Sequence, residues 1–384
     1  MKVLIDARMY GLEHSGIGRY ISNLVQEFIN LKIDEQFIIL LKKKYFDALE
    51  FPKDWAKVLA DFRHYTLNEQ LLLPGIINKE KPDLVHFPHI NIPIFYRGPF
   101  VVTVHDMTMH FQGTNATTLP LYKYLLKRLP YKFIFRSAVK RSCKIITPSK
   151  SIKKEITDYF MINPNNIAVT YEGLTNNFVE SGTHKDESAI LSSYGLKSSN
   201  YFFYVGNSYP HKNLDLVVRA ISSLNKESSS KVIFAIAGSR DIFVRRLEDL
   251  IRREHATLFI KVLGYIPDDD LRVLYKNSIA FVYPSFSEGF GLQGLEAMAS
   301  GSLILVSDIP VFREVYENNA LFFDPRSISS VTEIMKRVMK VTPNERSTII
   351  SKSIKFIARY SWQKTAMETF EIYKKVIKQR QNEN

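Results

Sequence analysis

The stretch from Ile279 to Gly301 constrains the fold more than any other part of the chain. It opens with five apolar residues in a row, Ile279 to Tyr283 (IAFVY). An uninterrupted apolar run fits a strand covered on both faces, as in a parallel sheet, whereas a half-exposed strand alternates. A turn rich in Ser and Gly follows. From Leu292 to Ser300 the apolar residues recur at helical spacing, and Gly301 closes the pattern. Strand, glycine turn and helix in that order make a corner suited to an anion. Free backbone N–H groups point outward at the helix start, and the helix dipole favours negative charge. Glu288 stands in the turn and Glu296 on the helix. Carboxylates are poor phosphate ligands but good acceptors for sugar hydroxyls. The corner therefore suits a phosphate with sugars attached, a nucleotide-sugar.

The same alternation runs through both halves of the chain. Strands are expected at Lys2–Ala7, Phe37–Leu41, Asp83–Phe87, Phe100–His105 and Lys144–Thr147, with a helix whose apolar face carries Ile17, Ile21, Leu24, Val25, Phe28 and Ile29. A second series is expected at Tyr201–Val205, Lys231–Ala237, Ile260–Leu263, Ile279–Tyr283, Leu303–Val306 and Ala320–Phe323. Strands alternating with helices predict an α/β architecture with parallel sheets and ligands at the carboxyl ends of the strands. Residues 175–200, rich in Ser, Thr and Asn, read as the interdomain connection. Helical patterns follow Phe323, and the last, near Ser361 to Lys378, is amphipathic.

The dense run S-E-G-F-G-L-x-G-L-E-A-M-A-x-G, with Glu288 seven residues clear of Glu296, resembles the signature of retaining glycosyltransferases of family 4, in their mannosyltransferase-like branch. That resemblance implies the GT-B fold, α/β with two Rossmann-like domains whose parallel sheets face across a cleft. The expected division is 1–180 for the N-terminal acceptor domain and 195–360 for the C-terminal donor domain. The helix 361–380 is expected to cross back to the first domain. By the resemblance Glu288 contacts donor sugar and diphosphate, and Glu296 hydrogen-bonds the ribose. The donor-binding set is Gly16, Gly18, Gly206, Asn207, His211, Lys212, Glu288, Gly289, Phe290, Gly291, Leu292 and Glu296, with Glu288, His105 and Lys212 as the catalytic residues.

Tyr204 to Leu214 (YVGNSYPHKNL) ends a strand and opens a helix. Lys212 is placed there to meet a diphosphate as a compact cation. Many family members carry an Arg after the glycine, where this chain has Asn207, and His211 partly fills that role. The first domain has Gly16-Ile17-Gly18-Arg19-Tyr20 after its first strand, where two glycines let the backbone approach a diphosphate. Arg19 either binds phosphate or caps the loop. His105 ends a buried strand and matches the family's histidine near the donor sugar, with Asp106 available to orient its ring. His86 and His89 (HFPHINIP) lack further metal ligands, so they fit an acceptor-side or packed loop. Asp268-Asp269-Asp270 after Pro267 reads as the acidic first turn of a helix and not as a metal motif. No metal and no cofactor are expected.

Charge bounds the partners. The chain has 52 Lys and Arg against 39 Asp and Glu, a net charge of +13 over 384 residues. Between Leu119 and Lys144 stand eight Lys or Arg and no acid, interleaved with aromatic and aliphatic residues. This segment, with a break expected at Pro130, reads either as a basic amphipathic surface for an anionic membrane or as a half-buried helix with a solvated basic face. Nucleic acid is not expected, since none of the known binding motifs occurs. The single Cys143 fits a reducing compartment, and Asp6 and Arg8 interrupt the N-terminal apolar run too early for a signal peptide. A cytoplasmic enzyme, peripheral on the inner face of the membrane, is expected.

The reading is a retaining glycosyltransferase that moves a hexose, mannose first, from a nucleoside-diphosphate sugar to a glycan or lipid-linked glycan. The alternatives are a non-catalytic nucleotide-sugar or glycan binder on the same fold, or another GT-B activity such as a phosphorylase or epimerase.

Overall fold

The computed structural model describes residues 1–111, 117, 120–174, 178, 186–227, 231–238 and 242–383. The chain forms two compact units, Met1–Gly173 with Ser361–Asn384, and Leu174–Tyr360.

The first unit holds a parallel sheet of seven strands: β1 (Lys2–Asp6), β2 (Gln36–Leu41), β3 (Ala56–Leu59), β4 (Leu84–Phe87), β5 (Phe100–Thr103), β6 (Lys144–Thr147) and β7 (Ile167–Val169). Their order is β3-β2-β1-β4-β5-β6-β7. Val3, Leu4, Ile5, Leu84, Val85, Val101 and Val102 are wholly buried, as strands covered on both faces require. β3 and β7 are missing from the sequence reading. Both are short edge strands, and β3 is half exposed, so neither carries an apolar run long enough to stand out.

The helix Ser15–Asn30 follows β1 and buries Tyr20, Ile21, Leu24, Val25 and Phe28. Its partner is the last helix, Trp362–Glu383. Phe28 meets Phe370 and Tyr373 edge-on. The Tyr373 hydroxyl lies 2.5 Å from His86 Nδ1, and His86 Nε2 lies 2.8 Å from Thr103 Oγ1. His86 is thus a fully buried strand residue joining β4, β5 and the last helix, and does not belong to an acceptor loop.

The helix Leu121–Arg141 runs on through Pro130 without the expected break. Proline there removes one backbone donor, and the carbonyl deprived of it belongs to Leu126, on the solvent side, where water can replace the bond. Leu119 lies outside the described residues.

The second unit repeats the architecture with β8 (Tyr201–Val205), β9 (Ile233–Ala237), β10 (Ile260–Gly264), β11 (Ala280–Tyr283), β12 (Ile304–Ser307) and β13 (Leu321–Phe323). All pairs are parallel, in the order β10-β9-β8-β11-β12-β13. Of the stretch 175–200, residues 175–177 and 179–185 lie outside the described residues, while Glu187–Ser193 is a helix capped by Asp186. Asp268–Asn277 is a helix opened by the three aspartates.

Changing Tyr373 to Phe keeps the ring packing and leaves a buried His86 nitrogen unpaired. We expect a loss of about 1–3 kcal/mol in denaturant unfolding of the first unit. An unchanged midpoint would show that the hydroxyl contributes nothing.

Candidate functional site

In the second unit the strand order reverses between β8 and β11, which are paired neighbours. A doubly wound sheet opens a crevice at that point, beyond the carboxyl ends of the strands. The loop after β8 carries Gly206, Asn207 and a 3-10 turn, Pro210–Lys212, before the helix Leu214–Glu227. Lys212 therefore precedes the helix and is not in its first turn, where its charge would oppose the dipole. Asn213 makes the bend with φ 55°, a conformation Asn tolerates. Its amide donates to the carbonyls of Pro284 and Pro325, at 3.0 and 2.9 Å. The His211 carbonyl accepts the Phe286 N–H at 2.8 Å. These bonds sew the β8 loop to the loops after β11 and β13.

The consequence is that Lys212 Nζ sits 2.6 Å from Glu288 Oε1, with both side chains nearly buried. The Ser285 hydroxyl donates to the same oxygen at 2.6 Å. The β11 loop continues through Gly289 and the buried Phe290 to Gly291, which caps the helix Leu292–Ala299 with φ 105°. Glu296 on that helix is only 6% exposed. It is a buried acid, not a solvated one. Asn207 accepts the Tyr209 N–H through its side chain, and the His211 ring lies parallel to Tyr209.

In the first unit the order reverses between β1 and β4. Beyond β5 a cavity of about 430 Å³ is lined by His105, His89, Asp106, Tyr65, Lys127 and Arg128 among others. A shallower groove of about 630 Å³ beside β7 holds none of the expected site residues. Asp106 does not orient His105. Its carboxylate accepts the Thr108 N–H at 2.8 Å, and the acid facing His105 is Glu172. Gly16 and Gly18 are not loop residues either, since the helix begins at Ser15. Gly18 is needed because a Cβ there would stand 1.8 Å from the Gly11 carbonyl oxygen, so it serves close packing of the chain on itself. Gly16 faces open space. Arg19 is half-buried, and Asn23 bonds its carbonyl.

Two family models match the chain: "Glycosyltransferase Family 4" over residues 14–176 and "Glycosyl transferases group 1" over residues 187–356. Between them they take in the β8–β11 reversal and every residue of the expected site. The chain belongs to the family 4 glycosyltransferases of the GT-B fold. Among curated relatives, the O-antigen chain mannosyltransferase RfbU of Salmonella typhimurium is 27% identical over 301 residues, 78% of this chain and 75% of that one. O-antigen chain mannosyltransferase B of Escherichia coli is 24% identical over 390 residues, 97% of this chain and all of that one. Solved structures share the fold. WaaG, a glycosyltransferase of lipopolysaccharide biosynthesis, superposes with TM-score 0.74 at 13% identity, covering 97% of this chain and 99% of that one. HepE of Anabaena, with UDP-glucose, does so with TM-score 0.75 at 15% identity, covering 98% and 100%.

The glycosyltransferase also has a buried ion network that the sequence did not reveal. Arg8, just past β1, donates to Asp6 through Nε and a terminal nitrogen, each at 2.7 Å, and pairs with Glu69 at 2.8 Å. Glu69 also takes both Asn91 contacts at 2.9 Å and the Tyr65 N–H at 2.7 Å. The Tyr65 backbone has φ 62°, which a tyrosine rarely adopts, and the bond to Glu69 holds it there, at the cavity wall. Burial alone would push the Glu69 pKa up, but His64, Arg8 and Asn91 more than offset this and hold it down to about 2.

A depressed carboxyl pKa gives stability that is present above the ordinary value and lost as pH falls through the folded one. The first unit should therefore lose stability between about pH 4.5 and pH 2 on account of Glu69. In Glu69→Gln that part of the acid dependence disappears, and stability at neutral pH falls by about 3 kcal/mol because Arg8 loses a buried partner. Acid titrations of the two proteins that run parallel would refute this role.

Proposed function

We propose that the enzyme is a retaining mannosyltransferase that uses GDP-mannose and extends a glycan or lipid-linked glycan. The observation that carries this is the Lys212–Glu288 pair at the ends of β8 and β11, with Glu296 on the adjoining helix. A lysine and a helix N-terminus beside two acids suit a diphosphate flanked by sugar and ribose hydroxyls. The names of the relatives favour mannose.

In this reading Glu296 takes the ribose hydroxyls and Glu288 the donor sugar. Lys212 and the N–H groups at Gly289 to Leu292 take the diphosphate. Stabilising the departing charge is the main electrostatic task. The acceptor hydroxyl attacks C1 on the face the diphosphate leaves. The C1–O bond to phosphate breaks, the new C1–O bond forms, and the acceptor's proton passes to the departing phosphate oxygen. No carboxylate nucleophile and no divalent metal is required.

The test is transfer and thermal stability with GDP-mannose, UDP-glucose and their nucleotides, each with and without magnesium. A ligand that binds only the folded state must raise Tm. GDP and GDP-mannose should raise it selectively without magnesium. Glu288→Ala should cut turnover by at least about a hundredfold while the fold persists. Near-normal turnover in that variant would sink the site, and a product with inverted anomeric configuration would sink the retaining mechanism.

The acceptor side carries a membrane proposal. On the helix Leu121–Arg141, Tyr122, Leu125, Leu126, Leu129 and Phe133 follow one helical stripe and are 49% to 70% exposed. Lys123, Lys127, Lys132, Arg136 and Lys140 flank them, without an acid. Apolar residues rimmed by cations suit an anionic bilayer surface. Among the described residues no helix is long and apolar enough to cross a membrane. Vesicles with anionic lipid should sediment the wild type at low salt and release Leu126→Glu/Leu129→Glu. Equal sedimentation of both proteins would remove this surface from the account.

A further inference from the structure

His105 lies two residues past the end of β5 and lines the 430 Å³ cavity, yet both of its ring nitrogens face protein acceptors. Nε2 lies 2.9 Å from the Pro88 carbonyl oxygen. A carbonyl only accepts, so Nε2 carries a proton. Nδ1 lies 3.3 Å from Glu172 Oε1. A neutral ring with its proton on Nε2 would turn a lone pair toward that carboxylate, an arrangement a buried site penalises. A ring protonated on both nitrogens satisfies both acceptors.

Glu172 is set for this task. It is 7% exposed and 67 residues from His105 in sequence. The residues on either side of it are tied to the last helix. The Thr365 hydroxyl donates to the Tyr171 carbonyl at 2.5 Å. Gly173 lies so close to the same helix that a Cβ would stand 2.0 Å from the Trp362 backbone nitrogen. The Tyr20 ring meets the His105 ring edge-on at 4.8 Å and fixes its plane.

We propose that Glu172 is a positioning residue which, with the Pro88 carbonyl, holds His105 as a doubly protonated ring and makes it a fixed positive charge at the cavity. This rests on the reading of His105 as a site residue. With both nitrogens engaged, His105 has none free to take or give a proton at a ligand. It presents the carbon edge of a cation, which favours electron-rich groups of the sugar or phosphate without moving a proton. The other charged or titratable groups that line the cavity are His89 after β4, Asp106 beside the ring, Tyr65, and Tyr124, Lys127, Arg128 and Tyr131 from the basic helix.

The test uses the full chain labelled with ¹⁵N-histidine, with the His105 ring signals assigned by their loss in His105→Ala. At pH 7.5 the wild-type ring should show protons on both nitrogens. In Glu172→Gln it should fall to a single proton on Nε2. Loss of a group that orients a functional histidine costs about 10- to 100-fold in activity at metal sites, and a similar fall in kcat is expected here. Donor KM should change by less than about threefold, the pattern of an interaction made in the transition state. A wild-type ring with one proton overturns the proposal without any variant, as does an identical ring state in Glu172→Gln. Full activity in His105→Ala would instead overturn the reading of His105 on which the proposal rests. An inactive His105→Ala beside a fully active Glu172→Gln would overturn the role of Glu172 alone.

Discussion

Each sheet reverses its strand order once, between β1 and β4 and again between β8 and β11. Neighbouring strands at such a point send their connections to opposite faces, so the loops beyond their carboxyl ends part and leave room for a ligand. Residues distant in sequence then meet across a few ångströms. Lys212 and Glu288 are 76 residues apart in sequence, and their charged groups meet at 2.6 Å. Arg8 and Glu69 meet in the same way in the first unit. The parallel sheet supplies the rigid edge, and the loops supply the chemistry.

Buried charge carries a cost that only good geometry offsets. In the second unit the geometry comes from Asn213, which bonds two carbonyls of neighbouring loops and so fixes the residue before it. Ser285 supplies a further bond to Glu288. In the first unit Glu69 gathers Arg8, Asn91 and the Tyr65 N–H. An apolar cluster could fill either space as well. Keeping ions there suits a site whose ligand carries charge of its own, and that link connects packing to function.

The strands whose sequences are unbroken apolar runs were legible, because burial on both faces leaves that trace. β3 and β7 left none, since edge strands are short and partly wet. Glu288, Glu296 and Lys212 were legible through their spacing within motifs. Glu172 was not. Its meaning depends on a histidine 67 residues away, and nothing beside it in the sequence distinguishes it from a surface acid. Asp106 was the natural partner for His105 on adjacency alone, but the two stand in the turn beyond β5, where the Asp106 carboxylate instead accepts the Thr108 N–H. Pro130 misled because the carbonyl it leaves without a donor belongs to an exposed residue, where water can replace the bond and the helix continues.

The last helix brings these threads together. It belongs to the first unit although the whole second unit precedes it in the chain. Trp362 packs against Tyr20, Thr365 bonds the Tyr171 carbonyl, and Tyr373 meets His86. Tyr20 in turn lies against His105, and Tyr171 and Gly173 bracket Glu172. The helix thus packs against groups on both sides of that ring. An amphipathic pattern in the sequence shows only that such a helix wants a partner. Which partner it finds decides whether a histidine at a strand end is loose or held.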